Sequence, residues 1–301
     1  MIPPEHEQAL VIDASFVPKS GKKTYGLDRF WNGSHRRTDK GLEISTLAWL
    51  AMTEHCAYCL SVEQTPPTAT TTDSEATRMD IYRDQWAPGV SEHHLSHLRY
   101  VGTDGYSSQQ KFTGGVRDLG REQSGKLRID AHRRYLYQGP QRPAPGRPKP
   151  YDGKVHGDDL SRFEQVETDD DELVLSPQVL KHGPYQCNLR VVLVVDTTPQ
   201  RRAGLLSPDV DLEALTISRS DKARFHIELL CRDAKQLTGL TDSQARAQAQ
   251  RNFPFKASLR AVTLAKLDAR QPNGDAASVV SMASLKRRAF HQHLIARLSQ
   301  Q

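Results

Sequence analysis

The sequence has few of the features of an exported or membrane protein. It contains only four cysteines in 301 residues, far fewer than a disulfide-rich secreted domain would carry. No apolar run approaches the ~18 residues that a membrane-spanning helix needs. The first ten residues, MIPPEHEQAL, lack the basic and apolar regions of a signal peptide. We therefore expect a cytoplasmic protein with reduced thiols and no membrane partner.

The cysteines do not form a recognisable zinc motif either. Cys56 and Cys59 make one Cys-x2-Cys pair, but Cys187 and Cys231 stand singly, so a second pair at ligand spacing is missing. Buried thiols are the favoured interpretation, with a structural zinc site as the alternative. The sequence also has no glycine-rich nucleotide loop and no internal repeat.

The overall composition is that of a globular protein with a mild basic excess. Hydrophobic residues make up 37% and charged residues 26% of the chain, and the formal net charge is +5. A basic excess favours a polyanionic partner such as nucleic acid, although many soluble proteins are equally basic.

The first half of the chain alternates apolar runs with acids and amphipathic segments. LVIDAS is a buried-strand pattern that carries Asp13 near its end, and Asp104 directly follows a second apolar run. We predict strands over 10–15, 42–52, 56–62, 98–103 and 126–129, and helices over 75–85 and 107–119. This order predicts an α/β fold, a mixed sheet flanked by helices with acids at strand ends.

Two stretches are basic, one near the start of the chain and one in its middle. A Gly-bounded turn, SGKKTYG, contains Lys22 and Lys23, and a Pro- and Gly-rich stretch over 133–155 contains Arg147 and Lys149. The latter stretch either follows a phosphate backbone or is a solvated linker. Short apolar runs at 163–166, 173–175 and 189–195 then predict a β-rich segment.

A helix is predicted over 221–235, DKARFHIELLCRDAK, which contains no Gly and no Pro. With ~100° of rotation per residue, Arg224, Glu228 and Lys235 lie within roughly 40° of one another. This stripe is either a carboxylate and two cations facing a cleft or an ordinary intrahelical salt-bridge pattern. Helix is also predicted over 242–266, interrupted at Pro254, and over 284–298, where the helix is basic and amphipathic.

The Arg-x3-Glu-x6-Lys spacing of this helix resembles the end of the Tyr-x2-Arg-x3-Glu-x6-Lys signature of DDE transposases from bacterial insertion sequences. VIDASFVPKSGKKTYGLDRFWNGSHRRTDKGLEIS resembles the family block around its first Asp, and RYVGTDGY resembles the block around its second. KLRIDAHRRYLYQG and GRPKPYDGKV are similar to a linking region in relatives of the insertion-sequence-four and insertion-sequence-seven-hundred-one groups. The likeness extends from about Val11 to about Arg297. It implies a ribonuclease-H-like core with a β-rich insertion before the helix that carries the third acid.

The resemblance also implies a site and a reaction. Asp13, Asp104 and Glu228 would bind two Mg²⁺ ions, for which Mn²⁺ could substitute, and would catalyse cleavage at element ends and transfer of the 3′-OH to target DNA. Arg224 and Lys235 would contact terminal phosphates of double-stranded DNA, with Lys22, Lys23, Arg147 and Lys149 as further DNA contacts. The implied protein is nucleoid-associated and forms a homodimer in a synaptic complex.

The resemblance implies four segments. These are a first part of the catalytic core over 8–130, a basic linker and β-rich insertion over 131–205, a core helix region over 206–270, and a helical tail over 271–301.

Two departures from the family pattern leave other functions open. Asp221 occupies the position of the signature Tyr, where a carboxylate would repel DNA or need its own cation. Only about a dozen residues precede Asp13, where family members usually carry a helical DNA-binding region. The alternatives are an inactive, truncated transposase that binds DNA without catalysis, or a nuclease of the same core.

Overall fold

The computed structural model describes residues 8–67, 77–92, 95, 97–105, 110–128, 130–141, 148–156, 159–168, 173–197, 201–269 and 281–299. The chain divides into two compact units. The first unit comprises Met1–Ala9 and Ser96–Arg224, and the second comprises Leu10–Leu95 and Phe225–Gln301. The four segments predicted from the sequence (8–130, 131–205, 206–270 and 271–301) were defined by their functional roles, and this division of the chain stays a prediction.

The second unit is built around one long strand. Its strands are β1 (Gln8–Pro18, in this unit from Leu10), β2 (Asp28–Asn32), β3 (Arg37–Ala51) and β4 (Cys56–Gln64). β3 lies beside β1 and pairs antiparallel with both β2 and β4. Its residues from Gly41 to Ala48 are all buried, as expected of a strand covered on both faces.

Helix α1 (Arg78–Glu92) is anchored to β3 by a buried carboxylate. Tyr82 Oη donates a hydrogen bond of 2.8 Å to Glu43 Oε1, and Arg78 Nη1 lies 4.0 Å from Glu43 Oε2. Glu43 is only 6% exposed, so these two partners replace the water that burial removes.

The first unit is a β-α-β unit extended by an antiparallel meander. β5 (Tyr100–Thr103) runs parallel to β6 (Glu122–Leu127), and α2 (Gln110–Asp118) connects them. β6 pairs with β11 (Arg202–Ser207), which pairs with β10 (Cys187–Asp196), and β10 pairs with β9 (Leu173–His182). On its other side β9 pairs with β7 (Arg133–Leu136), and β7 in turn pairs with β8 (Tyr151–Lys154).

Both faces of β10 are covered by apolar side chains. Leu189, Val191 and Leu193 belong to one core cluster, whereas Val192 belongs to a second cluster that includes Ile217. Ile217 lies in α3 (Ala214–Leu237), so the first turns of that helix cover one face of the first unit's sheet. The alternation follows the two-residue period of a strand.

α3 continues into the second unit, which also contains α4 (Gln248–Asp268) and α5 (Met282–Leu298). α4 packs on β4, where Cys59 N donates to Thr263 Oγ1 at 2.9 Å. Within the described residues, no helix combines the length and the apolar character that crossing a bilayer requires.

These elements confirm the predicted mixed α/β fold, with a sheet core flanked by helices. Several predictions of detail were wrong. Asp13 is the sixth of the eleven residues of β1 and not near its end, because the strand continues to Pro18. The helix predicted over 242–266 begins only at Gln248.

The segment 163–166 contributes only one isolated bridge, Val166 to Leu175, because it lacks a neighbour along the rest of its length. Pro254 does not interrupt its helix: it is the seventh residue of α4, which continues to Asp268 although proline supplies no backbone N–H to the carbonyl of Gln250.

We predict that Tyr82→Phe lowers the free energy of unfolding by about 1.5–3 kcal/mol, because it removes a hydrogen bond to a buried carboxylate. Urea denaturation measures the change. Tyr58→Phe is the matched control, since the Tyr58 hydroxyl bonds Glu54 at 3.0 Å but Glu54 is only half-buried and water can replace it. Equal losses in the two variants would contradict the anchoring role of Glu43.

Candidate active site

The first predicted acid lies on β1 in the second unit. Residues Ala9 to Ile12 are buried, and Asp13 is the first half-buried residue after them. Ser15 is two residues further on, so its side chain points to the same face of β1 as that of Asp13. The strand therefore presents a carboxylate and a hydroxyl side by side.

Helix α3 meets this face of β1 through a half-buried lysine. Lys235 Nζ donates a hydrogen bond of 2.8 Å to Ser15 Oγ. Burial lowers the pKa of Lys235, and the neighbouring Cys231 and Asp13 oppose that shift. Burial also raises the pKa of Cys231 to about 11, with a further contribution from Asp13. Asp13, Cys231 and Lys235 are thus electrostatic neighbours.

Glu228 lies on the same face of α3 as Lys235. Seven residues separate them, which corresponds to roughly 20° of rotation and ~10 Å along the helix axis. Glu228 is exposed, and the side chain of Lys235 leans toward the helix N-terminus and therefore toward Glu228. The second unit thus places the helix face of Glu228 against the strand of Asp13.

Asp104 lies in the first unit, directly after β5. Val101 to Thr103 are buried and Asp104 is half-buried, so the acid marks the carboxyl end of a buried parallel strand, as predicted. The next residue, Gly105, lines a cavity of about 550 Å³ together with Lys111, Arg128, His132, His182 and Tyr185.

The cavity beside Asp104 contains a histidine that stays neutral. His182 is 4% exposed, and burial, aided by Arg133 and His132, lowers its pKa to about 4. Its Nδ1 accepts a hydrogen bond from the backbone N–H of Tyr185 at 3.3 Å. His182 therefore supplies an uncharged ring to a cavity whose other basic side chains are Lys111, Arg128 and His132.

Arg224, a predicted phosphate contact, is buried next to the unusual acid. Arg224 is 5% exposed, and its Nε lies 3.7 Å from Asp221 Oδ1. Asp221 thus has a cation beside it within the same helix and the same unit. The contact of Arg224 with DNA stays a prediction.

The other predicted DNA contacts differ in accessibility. Lys22 and Lys23 are fully exposed in the turn after β1. Lys149 is exposed too, but its Nζ lies 3.0 Å from Asp152 Oδ1 and 4.5 Å from the ring centroid of Tyr137. Arg147 lies outside the described residues. DNA binding by these four residues stays a prediction.

The donor atoms of the predicted metal ligands can be compared with those that Mg²⁺ prefers. Asp13, Asp104 and Glu228 offer carboxylate oxygens, the donors that Mg²⁺ prefers, and none of them is fully buried. In the described part of the chain, no group of three or more His, Cys, Asp or Glu side chains is arranged to hold a metal ion. The donor types fit a hard divalent cation, and the three-acid site stays a prediction.

The sequence interpretation missed Ser15 and Arg246 as site residues. Ser15 could have been found from its spacing, since a hydroxyl two residues after a strand acid lies on the same face. Arg246 could not, because it is more than 200 residues from the basic turn with which it lines a cavity.

Comparison with protein families identifies the class. The model of the DDE superfamily endonucleases matches residues 1–174, more than half of the chain. The chain belongs to this family, which consists of nucleic-acid-cleaving enzymes and supports a transposase-like nuclease. The matched region contains Asp13 and Asp104 and ends before α3. No curated protein matches the chain.

We predict that the four thiols fall into two classes of reactivity. Cys59 and Cys231 are buried, and burial raises their pKa values to about 12 and about 11, so at about pH 8 they stay protonated and unreactive. Cys56 and Cys187 are half-buried and react first with Ellman's reagent. Denaturant should release the slow thiols, and fast labelling of Cys231 in the folded protein would contradict the packing of α3 on β1.

We also predict that Asp221→Asn destabilises the protein by about 1–3 kcal/mol, because it removes the carboxylate beside a buried guanidinium. Chemical denaturation measures the effect. Asp84→Asn is the control, since Asp84 forms an exposed pair with Arg83 whose loss costs at most about 1 kcal/mol. An Asp221→Asn variant as stable as the parent would show that Asp221 does not stabilise Arg224.

Proposed function

We propose that this chain is the catalytic domain of a DNA transposase of the insertion-sequence-four and seven-hundred-one type. It cleaves DNA at the ends of its element and joins the freed 3′-OH to target DNA. The observation that carries the proposal is the hydrogen bond from Lys235 to Ser15, because it brings the helix of Glu228 against the strand of Asp13. Family membership supports nucleic-acid cleavage, and a ribonuclease-H-like core belongs to the same proposal.

In this proposal Asp13, Asp104 and Glu228 hold two Mg²⁺ ions. When bound, such ions activate the attacking oxygen and neutralise charge on the phosphate. Lys235 holds β1 and α3 together beside Asp13, which keeps the carboxylate in a fixed position. Water attack on the element-end phosphodiester releases a 3′-OH, and this hydroxyl then attacks a target phosphodiester and displaces its 3′ oxygen. Lys22, Lys23, Arg147 and Lys149 bind DNA phosphates, which positions the duplex.

Two other functions have specific support. The description of the family as endonucleases favours a nuclease that cuts without joining. The burial of Arg224 beside Asp221 favours a protein that binds DNA without catalysis, because a predicted phosphate contact is paired internally. A homodimeric synaptic complex and association with the nucleoid follow from the transposase proposal.

We expect Asp13→Asn and Glu228→Gln each to reduce Mg²⁺- or Mn²⁺-dependent cleavage and joining by at least roughly 10³-fold, because each removes a charged metal ligand. Duplexes made from the DNA that flanks the gene on either side serve as substrates, and calorimetry with Mn²⁺ measures metal binding separately. Asp84→Asn is the control.

Each outcome of this experiment points to one function. Joined products in the parent and their loss in both variants support the transposase. Cleavage without joining supports the nuclease, and DNA binding without any metal-dependent product supports the inactive binder. Variants that join DNA as well as the parent would refute the assignment of Asp13 and Glu228.

A further inference from the structure

A second basic feature of the second unit lies at the far end of β1. The turn over 19–24 and the loop over 244–246 line a cavity of about 310 Å³, which we call the basic-turn pocket. Tyr25 N donates to the carbonyl of Arg246 at 3.0 Å, and the ammonium of Lys19 donates to the carbonyl of Ser243. The turn and the loop are therefore held together, although more than 200 residues separate them.

A buried arginine also holds the loop of the pocket in place. Arg251 is completely buried, and its Nη2 donates to the carbonyl of Arg246 at 2.8 Å. Gly21 has φ +112°, a conformation that favours glycine, and an added Cβ would lie 3.1 Å from Thr24 Oγ1. The shape of the pocket is thus set by hydrogen bonds to the backbone of the loop and by the backbone conformation at Gly21.

The charge in the basic-turn pocket is of one sign. Its lining includes Lys19, Lys22, Lys23 and Arg246 and no acidic residue. Lys22, Lys23 and Arg246 are exposed, and within the described residues none of their side chains forms an ion pair or a hydrogen bond. Like charges in one cavity repel each other, and a bound anion relieves this repulsion.

We propose that the basic-turn pocket binds one backbone phosphate of the DNA substrate. This inference rests on the proposed function. The lining contains no aromatic residue on which a base could stack, so recognition is of phosphate and independent of sequence. Lys22 and Lys23 supply charge from the turn, and Arg246 supplies a planar guanidinium from the opposite loop, a geometry suited to two phosphate oxygens.

The position of the pocket on β1 predicts which phosphate it binds when the duplex runs along this strand. Lys19 is six residues beyond Asp13, which corresponds to ~20 Å along an extended strand. One strand of B-DNA rises ~3.4 Å per base pair, so this distance spans about six base pairs. In the proposed arrangement the duplex follows β1, and the pocket binds it about six base pairs from the phosphodiester cleaved at Asp13.

The first experiment measures DNA affinity against salt concentration in the Asp13→Asn background, where cleavage plays no part. We expect Lys22→Gln/Lys23→Gln to weaken binding about tenfold and to lower the salt-dependence slope by about 1, because one phosphate contact is lost. The control, Arg36→Asn/Lys40→Gln, removes the same charge from exposed positions of the β2–β3 hairpin. Asn is used at residue 36 because its φ is +51°.

The second experiment locates the phosphate. Methylphosphonate replaces one phosphate at a time along the duplex, and substitution about six base pairs from the cleaved bond should weaken binding of the parent but not of the pocket variant. Arg246→Gln should show the same loss of coupling, which covers the case in which the double variant folds poorly.

The outcomes separate this inference from the proposed function. Equal slopes for pocket and control variants, or no position-specific coupling, overturn the pocket assignment, even if the parent cleaves and joins DNA. Binding of inorganic phosphate by calorimetry without any methylphosphonate effect also overturns it, because the pocket would then serve a small free anion. Position-specific coupling in a protein that gives no cleavage product supports the pocket and refutes only the catalytic proposal.

Discussion

The hydrogen bond between Lys235 and Ser15 is the contact on which the rest of the candidate site depends. Half-burial of a lysine ammonium costs little where an oxygen accepts its hydrogen bond and a negative charge lies nearby, and β1 supplies both through Ser15 and Asp13. This requirement fixes the register of α3 on β1. Because Glu228 is on the same helix face, two turns before Lys235, its position relative to Asp13 follows from that register.

The basic residues of the chain divide into two groups with different roles. Arg224 and Lys149 lie beside Asp221 and Asp152, so internal carboxylates already neutralise much of their charge. Lys22, Lys23 and Arg246 surround a cavity that contains no acid. Formal charge alone does not separate these groups, since all five residues are equally basic in the sequence. Among these five residues, the uncompensated positive charge is therefore concentrated at the second group.

The sequence predicted best those strands and helices whose apolar residues follow a clear pattern. β1, β3, β4 and β5 were predicted because their apolar runs are long, and α3 because it lacks helix breakers. β2, β7, β8 and β11 were missed, since DRFWN, RRYL, YDGK and RAGLLS are short and contain too few apolar residues to show a strand period. Their strand conformation is supplied by pairing partners: β2 pairs along β3, and β7 lies between β8 and β9.

Asp13 was predicted near a strand end, but β1 continues to Pro18 and places Asp13 in mid-strand. The sequence by itself determined the fold class, the placement of Asp104 at a strand end, and the common helix face of Glu228 and Lys235. All of these follow from local periodicity, which is set by backbone geometry over a few residues. Only the tertiary structure decided that Lys235 bonds Ser15, that Arg224 is buried beside Asp221, and that Arg246 joins the basic turn. The first and the last of these contacts join residues more than 200 positions apart, and the burial of Arg224 depends on how its helix packs. They depend on how whole elements pack, which local sequence patterns do not encode.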